Sequence, residues 1–456
     1  MHKFTGVRKG YHMRILRSLL ISLAALGVAA VAAFGQGASP RAGTIIVPDT
    51  NVERPADVGV RAHTNYLIFV QAGSKLVLSS PTGETPGSLG CIYKIANGGQ
   101  YPNCPISSAT TPPSGGSGII AIVDAYDYPT ANNDFNVFST QFGLPTGNKC
   151  GSKSTLPCFT KVQAVSGHLK SNSGWALEAA LDIEWAHAMA PKAQIVLVEA
   201  TSNSNSDLLY AVDVASNIVA TCNGTCTTGG TGEVSMSWGS SEFSQEATFD
   251  GHFTTLGVVY TAASGDSGGA VIWPSASPNV VSAGGTTVNR ANNGNFTGET
   301  AWSSSGGGPS AYEPIPNYQS VVSTVNLNGM RGTPDFSFDA DPNSGVSVYD
   351  TTSYQGLSGW FTVGGTSASS PSLAGIINLA GSFAASASDE LTTIYSNYNS
   401  NNYGSDFRDI TSGSTSGCSG GGGGPHHKST GNNCYNALPG WDFITGVGTN
   451  LTTSGK

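Results

Sequence analysis

Gly174-Trp-Ala-Leu-Glu178-Ala-Ala-Leu-Asp182-Ile-Glu184-Trp-Ala-His187-Ala-Met189 is followed by Pro191 and then by Gln194-Ile-Val-Leu-Val198. The first stretch reads as a helix that Pro191 ends, because proline lacks the N–H that would continue the ladder. The second is a short apolar run of the kind a buried strand needs. The alternation extends in both directions. Upstream, Ile119-Ile-Ala-Ile-Val123 predicts a buried strand and residues 133–142 a helix. Downstream, residues 207–217 predict a helix, and residues 234–238 and 258–263 predict strands. Strands alternating with helices imply an α/β fold, a mostly parallel sheet with helices on both faces. In such sheets functional side chains gather at the carboxyl ends of the strands. Residues 280–349 are richer in glycine and β-branched residues and predict further strands and cleft loops. Pro371 to Ala380 predicts a buried helix.

The chain has 456 residues, of which 11% are charged and 60 are glycine, a composition of a compact, loop-rich protein. Residues 1–35 contain five basic residues, no acidic one, and the apolar run Leu19–Phe34. That pattern predicts a secretory signal, with a single membrane anchor as the alternative. Without it the chain holds 15 basic and 29 acidic residues, a formal charge of −14. Such a balance disfavours nucleic acid and anionic membranes as partners and suits an acidic medium. No later stretch is apolar enough to span a bilayer. Residues 36–112 carry little periodicity and read as an N-terminal extension, only partly structured by itself. Residues 113–456 read as the main domain. Eight cysteines fall into local pairs, Cys91 with Cys104, Cys150 with Cys158, Cys222 with Cys226, and Cys418 with Cys434. Behind a signal sequence these predict disulfides, with zinc as the alternative. The glycine run 419–424, beside His426 and His427, predicts a surface loop.

Two serines compete as nucleophile. Gly265-Asp-Ser267-Gly-Gly269 matches the nucleophile motif of chymotrypsin-like proteases, and Gly365-Thr-Ser367-Ala-Ser-Ser-Pro371 matches the nucleophile turn of the subtilisin-like fold. The first belongs to paired β-barrels and needs a histidine base, whereas this chain alternates strands and helices. None of its eight histidines has the required setting. Ser367 opens a helix, with Pro371 read as part of the first turn, so backbone N–H groups point past its hydroxyl. Such donors stabilise an oxyanion in acyl transfer, although a plain N-cap serine fits the same pattern. A serine hydroxyl also needs a base. Glu178 and Asp182 stand four apart and share a helix face beside Leu177, Leu181 and Trp185. Burial and mutual repulsion raise one pKa of such a pair, which lets it share a proton. The alternative is two solvated acids on an exposed face. Glu184 is expected to be an ordinary surface acid, and His187 a satisfied histidine near the helix end.

Glu-x-x-x-Asp on a helix, Ser-Gly-Asp-Ser-Gly, and Gly-Thr-Ser-x-Ser-x-Pro occur here in that order. Together they resemble the sedolisins, the serine-carboxyl peptidases. Val234-Ser-Met-Ser-Trp-Gly239, Ala301-Trp-Ser-Ser-Ser-Gly-Gly-Gly308 and Thr333-Pro-Asp-Phe-Ser-Phe-Asp-Ala-Asp-Pro342 extend the resemblance from about residue 113 to the C-terminus. It implies a subtilisin-like fold and a secreted endopeptidase acting on proteins or peptides. In those roles Ser367 is the nucleophile, Glu178 the base, Asp182 its proton-sharing partner, and Asp266 a neutral carboxyl that donates to the oxyanion. An acidic pH optimum follows. Asp124 matches the place of the subtilisin acid and is read as a structural or cleft residue. The resemblance also implies one Ca²⁺ ion held by the side chains of Asp409 and Asp442 and the carbonyls of Ile410, Leu438 and Gly440. All-oxygen ligation suits that ion. Sedolisins carry a long N-terminal prodomain, and Pro86-Gly-Ser-Leu-Gly-Cys-Ile-Tyr93 resembles the lead-in to their mature enzyme. The extension is therefore expected to be a shortened or absent prodomain. A monomer is expected. Alternatives from other classes are an inactive secreted binding protein on the same fold, a protease using Ser267, and an esterase.

Overall fold

The computed structural model describes residues 43–73, 77–96, 100–106, 111–149, 158–221, 232–418 and 433–456. The expected signal segment, Cys150, Cys222, Cys226 and the 419–424 glycine run with His426 and His427 lie outside them. Thirteen strands matter for the site: β1 Gly43–Ile46, β2 His63–Thr64, β3 Leu67–Gln71, β4 Ile119–Ala125, β5 Cys158–Gln163, β6 Gln194–Ala200, β7 Gly232–Met236, β8 Trp238–Ser241, β9 Val258–Ala263, β10 Val281–Arg290, β11 Phe336–Asp339, β12 Val346–Tyr354 and β13 Leu357–Gly364. Four helices accompany them: α1 Ala131–Phe142, α2 Ser173–Met189, α3 Asn205–Thr221 and α4 Thr366–Leu379.

Strands β5-β6-β4-β7-β9-β10-β11 lie side by side, all parallel, as the centre of a larger sheet. Successive side chains of a strand point to opposite faces, so a strand covered on both sides is apolar throughout. β4 follows that rule. Ile120 and Ile122 pack with Ala180 and Leu181 of α2 and Ile376 of α4. Ala121 and Val123 pack on the other face with Leu208 and Val212 of α3. The expected α/β fold, a mostly parallel sheet between helices, is the observed one.

Part of the stretch before residue 113 is built into this frame. β3 lies between β1 and β13 in an antiparallel sheet, with Leu67 opposite Gly364 and Ile68 opposite Val363. Tyr66 and Ile68 are buried in the main core. A five-residue strand joined to neighbours from distant sequence has too short a pattern to be read from periodicity. Cys91–Cys104 and Cys418–Cys434 form disulfides, as expected, and Cys158 is also disulfide-bonded.

Candidate active site

β13 ends at Gly364, and the chain turns through Gly365 into α4. Gly365 has φ +106°, which L-residues rarely adopt. A Cβ there would fall 2.2 Å from the Asn65 carbonyl oxygen and 2.6 Å from Asp266 Oδ2. Glycine is thus required on both conformational and steric grounds. α4 begins at Thr366, so Pro371 sits in its interior rather than in the expected first turn. The missing Pro371 N–H leaves the Ser367 carbonyl without its helical donor. Ser237 Oγ lies 3.2 Å from it and shares its one hydroxyl hydrogen between this carbonyl and Asp182 Oδ1.

Ser367 and Glu178 meet at one backbone amide. Asn65 N lies 3.2 Å from Ser367 Oγ and 3.3 Å from Glu178 Oε2. The Ser367 hydroxyl also donates to the Ser237 carbonyl at 3.0 Å. Asp182 Oδ1 accepts from Ser237 Oγ at 2.9 Å. Asp266, on the loop after β9, accepts from Thr366 N at 2.8 Å and Thr366 Oγ1 at 2.9 Å, both through Oδ1. Its Oδ2 is buried and has no hydrogen-bond partner. Glu178, Asp182 and Ser367 are fully buried and Asp266 is 5% exposed. The four site residues read from the sequence therefore converge, from α2, α4 and the end of β9.

Burial governs their charge. It pushes Glu178 and Asp182 well above the usual carboxylate range. Asp124 adds to the rise in both, and contact with Ser367 opposes it at Glu178. Burial raises Asp266 to about 7, against the donors of Thr366. Asp124, at the end of β4, is raised to about 8 by burial and by Glu199. It forms the third member of a buried acid group. Such groups titrate as a set, and each proton lost makes the next harder to remove.

Glu184 departs from the surface role expected for it. It is fully buried, and its Oε2 accepts from Tyr349 N at 2.9 Å. Residues 174–189 of α2 are all buried, so the helix has no solvent face on which to place an acid. His187, expected to be satisfied, is only half so: Nε2 lies 2.8 Å from the Pro145 carbonyl, and the buried Nδ1 has no hydrogen-bond partner. Sequence reasoning missed Asn65 and Ser237. Ser237 had a signal, because it follows a strand inside the 234–239 motif. Asn65 had none, since its role depends on β3 holding it beside Gly365.

The residues read as a calcium site lie in one loop cluster. Asp442, buried, accepts from Leu438 N at 3.0 Å, Ile444 N at 2.8 Å and Thr445 N at 2.9 Å. Asp409 accepts from Gly440 N at 3.1 Å through each oxygen. Both carboxylates act on the Tyr403 hydroxyl and help raise its pKa, so they face a common region. Burial lifts Asp442 to about 6. The candidate ligand atoms are all oxygen, and the donors that meet the two carboxylates are neutral, backbone amides and the Thr445 hydroxyl, which fits a hard cation. Among the described residues no group of three or more His, Cys, Asp or Glu could hold a metal. Carbonyls would have to complete the shell.

No protein-family model matches the chain. It is 26% identical over 422 residues to the sedolisin of Pseudomonas sp. (strain 101), covering 85% of this chain and 63% of the relative. It is 34% identical over 230 residues to the kumamolisin of Bacillus sp. (strain MN-32), covering 44% and 38%. The chain is similar to sedolisins over most of its length. A solved Pseudomonas sedolisin, described as a serine-carboxyl proteinase in complex with pseudo-iodotyrostatin, superposes with a TM-score of 0.60. The match has 24% identity and covers 82% of this chain and 96% of that one. The fold is thus that of sedolisins. The chain spans less than two thirds of the length of the sedolisin it matches.

Proposed function

We propose that the protein is a secreted serine-carboxyl endopeptidase that works at acid pH and hydrolyses peptide bonds through an acyl-enzyme on Ser367. One observation carries the reading: a buried carboxyl, Glu178, shares a backbone amide with a buried serine hydroxyl. In this reading Glu178 takes the Ser367 proton as Oγ attacks the scissile carbonyl, and returns it to the leaving amine. Asp182 shares the proton of Glu178, and Ser237 holds Asp182 and the start of α4 in register. The Ser367 N–H and the neutral Asp266 carboxyl donate to the oxyanion. An ionised Asp266 would repel it, so acid pH is required. Asp409 and Asp442, with the carbonyls of Ile410, Leu438 and Gly440, would hold one Ca²⁺ that braces the C-terminal loops. The signal-like residues 1–35 and the disulfides support export.

Casein digestion across pH 2–9 tests the reading. The parent should peak on the acid side. Ser367→Ala and Glu178→Gln should each lose at least about 10³-fold, the scale seen when members of a nucleophile–base unit are removed. Full activity in a folded Ser367→Ala protein would refute it.

A further inference from the structure

Pro371 lies inside α4, one helical turn after Ser367. In an uninterrupted helix the amide of residue 371 would bond the carbonyl of residue 367. Proline has no such amide, and Ser367 is fully buried, out of reach of bulk water. The Ser237 hydroxyl stands between that carbonyl, at 3.2 Å, and Asp182 Oδ1, at 2.9 Å. A hydroxyl has one hydrogen and two lone pairs, so it donates to one of these oxygens at a time. The proton of Asp182 decides which. An ionised Asp182 takes the hydrogen, because charge-assisted bonds are the stronger. The Ser367 carbonyl is then a buried acceptor without its donor, an unfavourable state. A protonated Asp182 can instead donate to Ser237 Oγ, and the Ser237 hydrogen turns to the carbonyl. All three groups are then satisfied in one chain.

Glu178 is placed the other way. Its Oε2 faces the Asn65 amide at 3.3 Å. An N–H only donates, so this contact favours the ionised carboxyl. Among the described residues no backbone amide meets Asp182, and its buried Oδ2 has no hydrogen-bond partner. Asp124 acts on both acids, and Asp266, neutral in the acid range, acts on Glu178.

We infer that Ser237 and Pro371 are positioning residues that assign the shared proton to Asp182 and leave Glu178 as the free base. The inference rests on the peptidase reading above and deepens it. As Ser367 attacks, its proton passes to Glu178, while the Asp182 proton stays in its bond to Ser237. Pro371 contributes by withholding an amide, which reserves the Ser237 hydrogen for the Ser367 carbonyl.

Restoring the amide should undo the assignment. In Pro371→Ala the helix satisfies the carbonyl, Ser237 donates to Asp182, and the proton moves to Glu178. With an internally quenched casein peptide at pH 4, kcat should fall at least about 10-fold at unchanged KM, part of what a positioned base contributes. Adding Ser237→Ala removes the donor to Asp182, so the double variant should be faster than Pro371→Ala by roughly threefold or more. A merely structural role predicts the opposite, a further loss. Circular dichroism verifies folding. A second measurement needs no change at Pro371: infrared carboxyl bands of the Ser367→Ala chain, assigned with Glu178→Gln and Asp182→Asn. On raising the pH, the Glu178 band should vanish before the Asp182 band. A folded Pro371→Ala with the parent's kcat, a double variant no faster than Pro371→Ala, or an Asp182 band that vanishes first overturns this inference alone. A folded parent that leaves the peptide intact overturns the peptidase reading, and this inference with it.

Discussion

Asp266 offers one free oxygen to the space beside Ser367, because both donors of Thr366 fall on the other. Its burial-raised value of about 7 keeps it neutral through the acid range. In the proposed role it would donate below about 7 and repel the developing charge above it. Asp266→Asn keeps Oδ1 as acceptor for Thr366 and puts an amide N–H where Oδ2 was. That donor does not titrate. The variant should therefore retain part of its activity, and the alkaline limb of its pH–rate profile should move upward. Asp266→Ala removes the donor and should lose about 10² to 10³ in kcat. An unchanged alkaline limb in Asp266→Asn would assign the pH dependence to another group. The meeting of Glu178, Asp182, Asp266 and Ser367 was legible at the residue scale because each sits in a short motif. Asn65 was not, since nothing within five residues of it marks its closeness to Ser367, 302 positions away.

At the scale of elements, what could be read depended on the length of the pattern. The helices α1 to α4 and the strands β4, β6, β7 and β9 carry runs long enough to show their period, and all were anticipated within a few residues. β1, β2 and β3 are two to five residues long and pair with partners far away in sequence. Tertiary contact alone determines such strands. Glu184 failed for a related reason: α2 is buried all round, and periodicity describes a helix face, not how many faces are covered. The loop cluster of Asp409 and Asp442 gives an element-scale prediction. If one Ca²⁺ binds there, a hundredfold excess over its Kd should stabilise the fold by about 2.7 kcal/mol. Chelation should lower the apparent Tm, and Asp409→Ala should abolish the response to calcium. A Tm that ignores both calcium and chelator would rule out an ion in these loops.

Across the whole molecule, buried acids outside the loop cluster of Asp409 and Asp442 set how stability depends on pH. Burial raises Asp124 and Asp350 to about 8 and Glu199 to about 7. It moves Glu178, Asp182, Glu184, Glu233 and Asp339 in the same direction. In the unfolded chain these groups ionise near pH 4. Between pH 4 and 8 the native state therefore holds more protons than the unfolded state, and stability falls as pH rises. The contribution is complete below about pH 4 and is lost by the time the folded values are passed. Each tenfold gain in proton affinity on folding is worth about 1.4 kcal/mol, so even a few such groups sum to several kcal/mol. The excess of 29 acidic over 20 basic residues in the whole chain adds repulsion in the same sense. Scanning calorimetry of Ser367→Ala, which prevents self-digestion, should show an apparent Tm at pH 4 above that at pH 8 by roughly 5 °C, at fixed calcium. The buried acids near Ser367 thus tie stability to the same acid range in which Asp266 is neutral. A Tm that rises from pH 4 to pH 8 would mean that these carboxyls ionise in the folded protein, and the proton-sharing base would go with them.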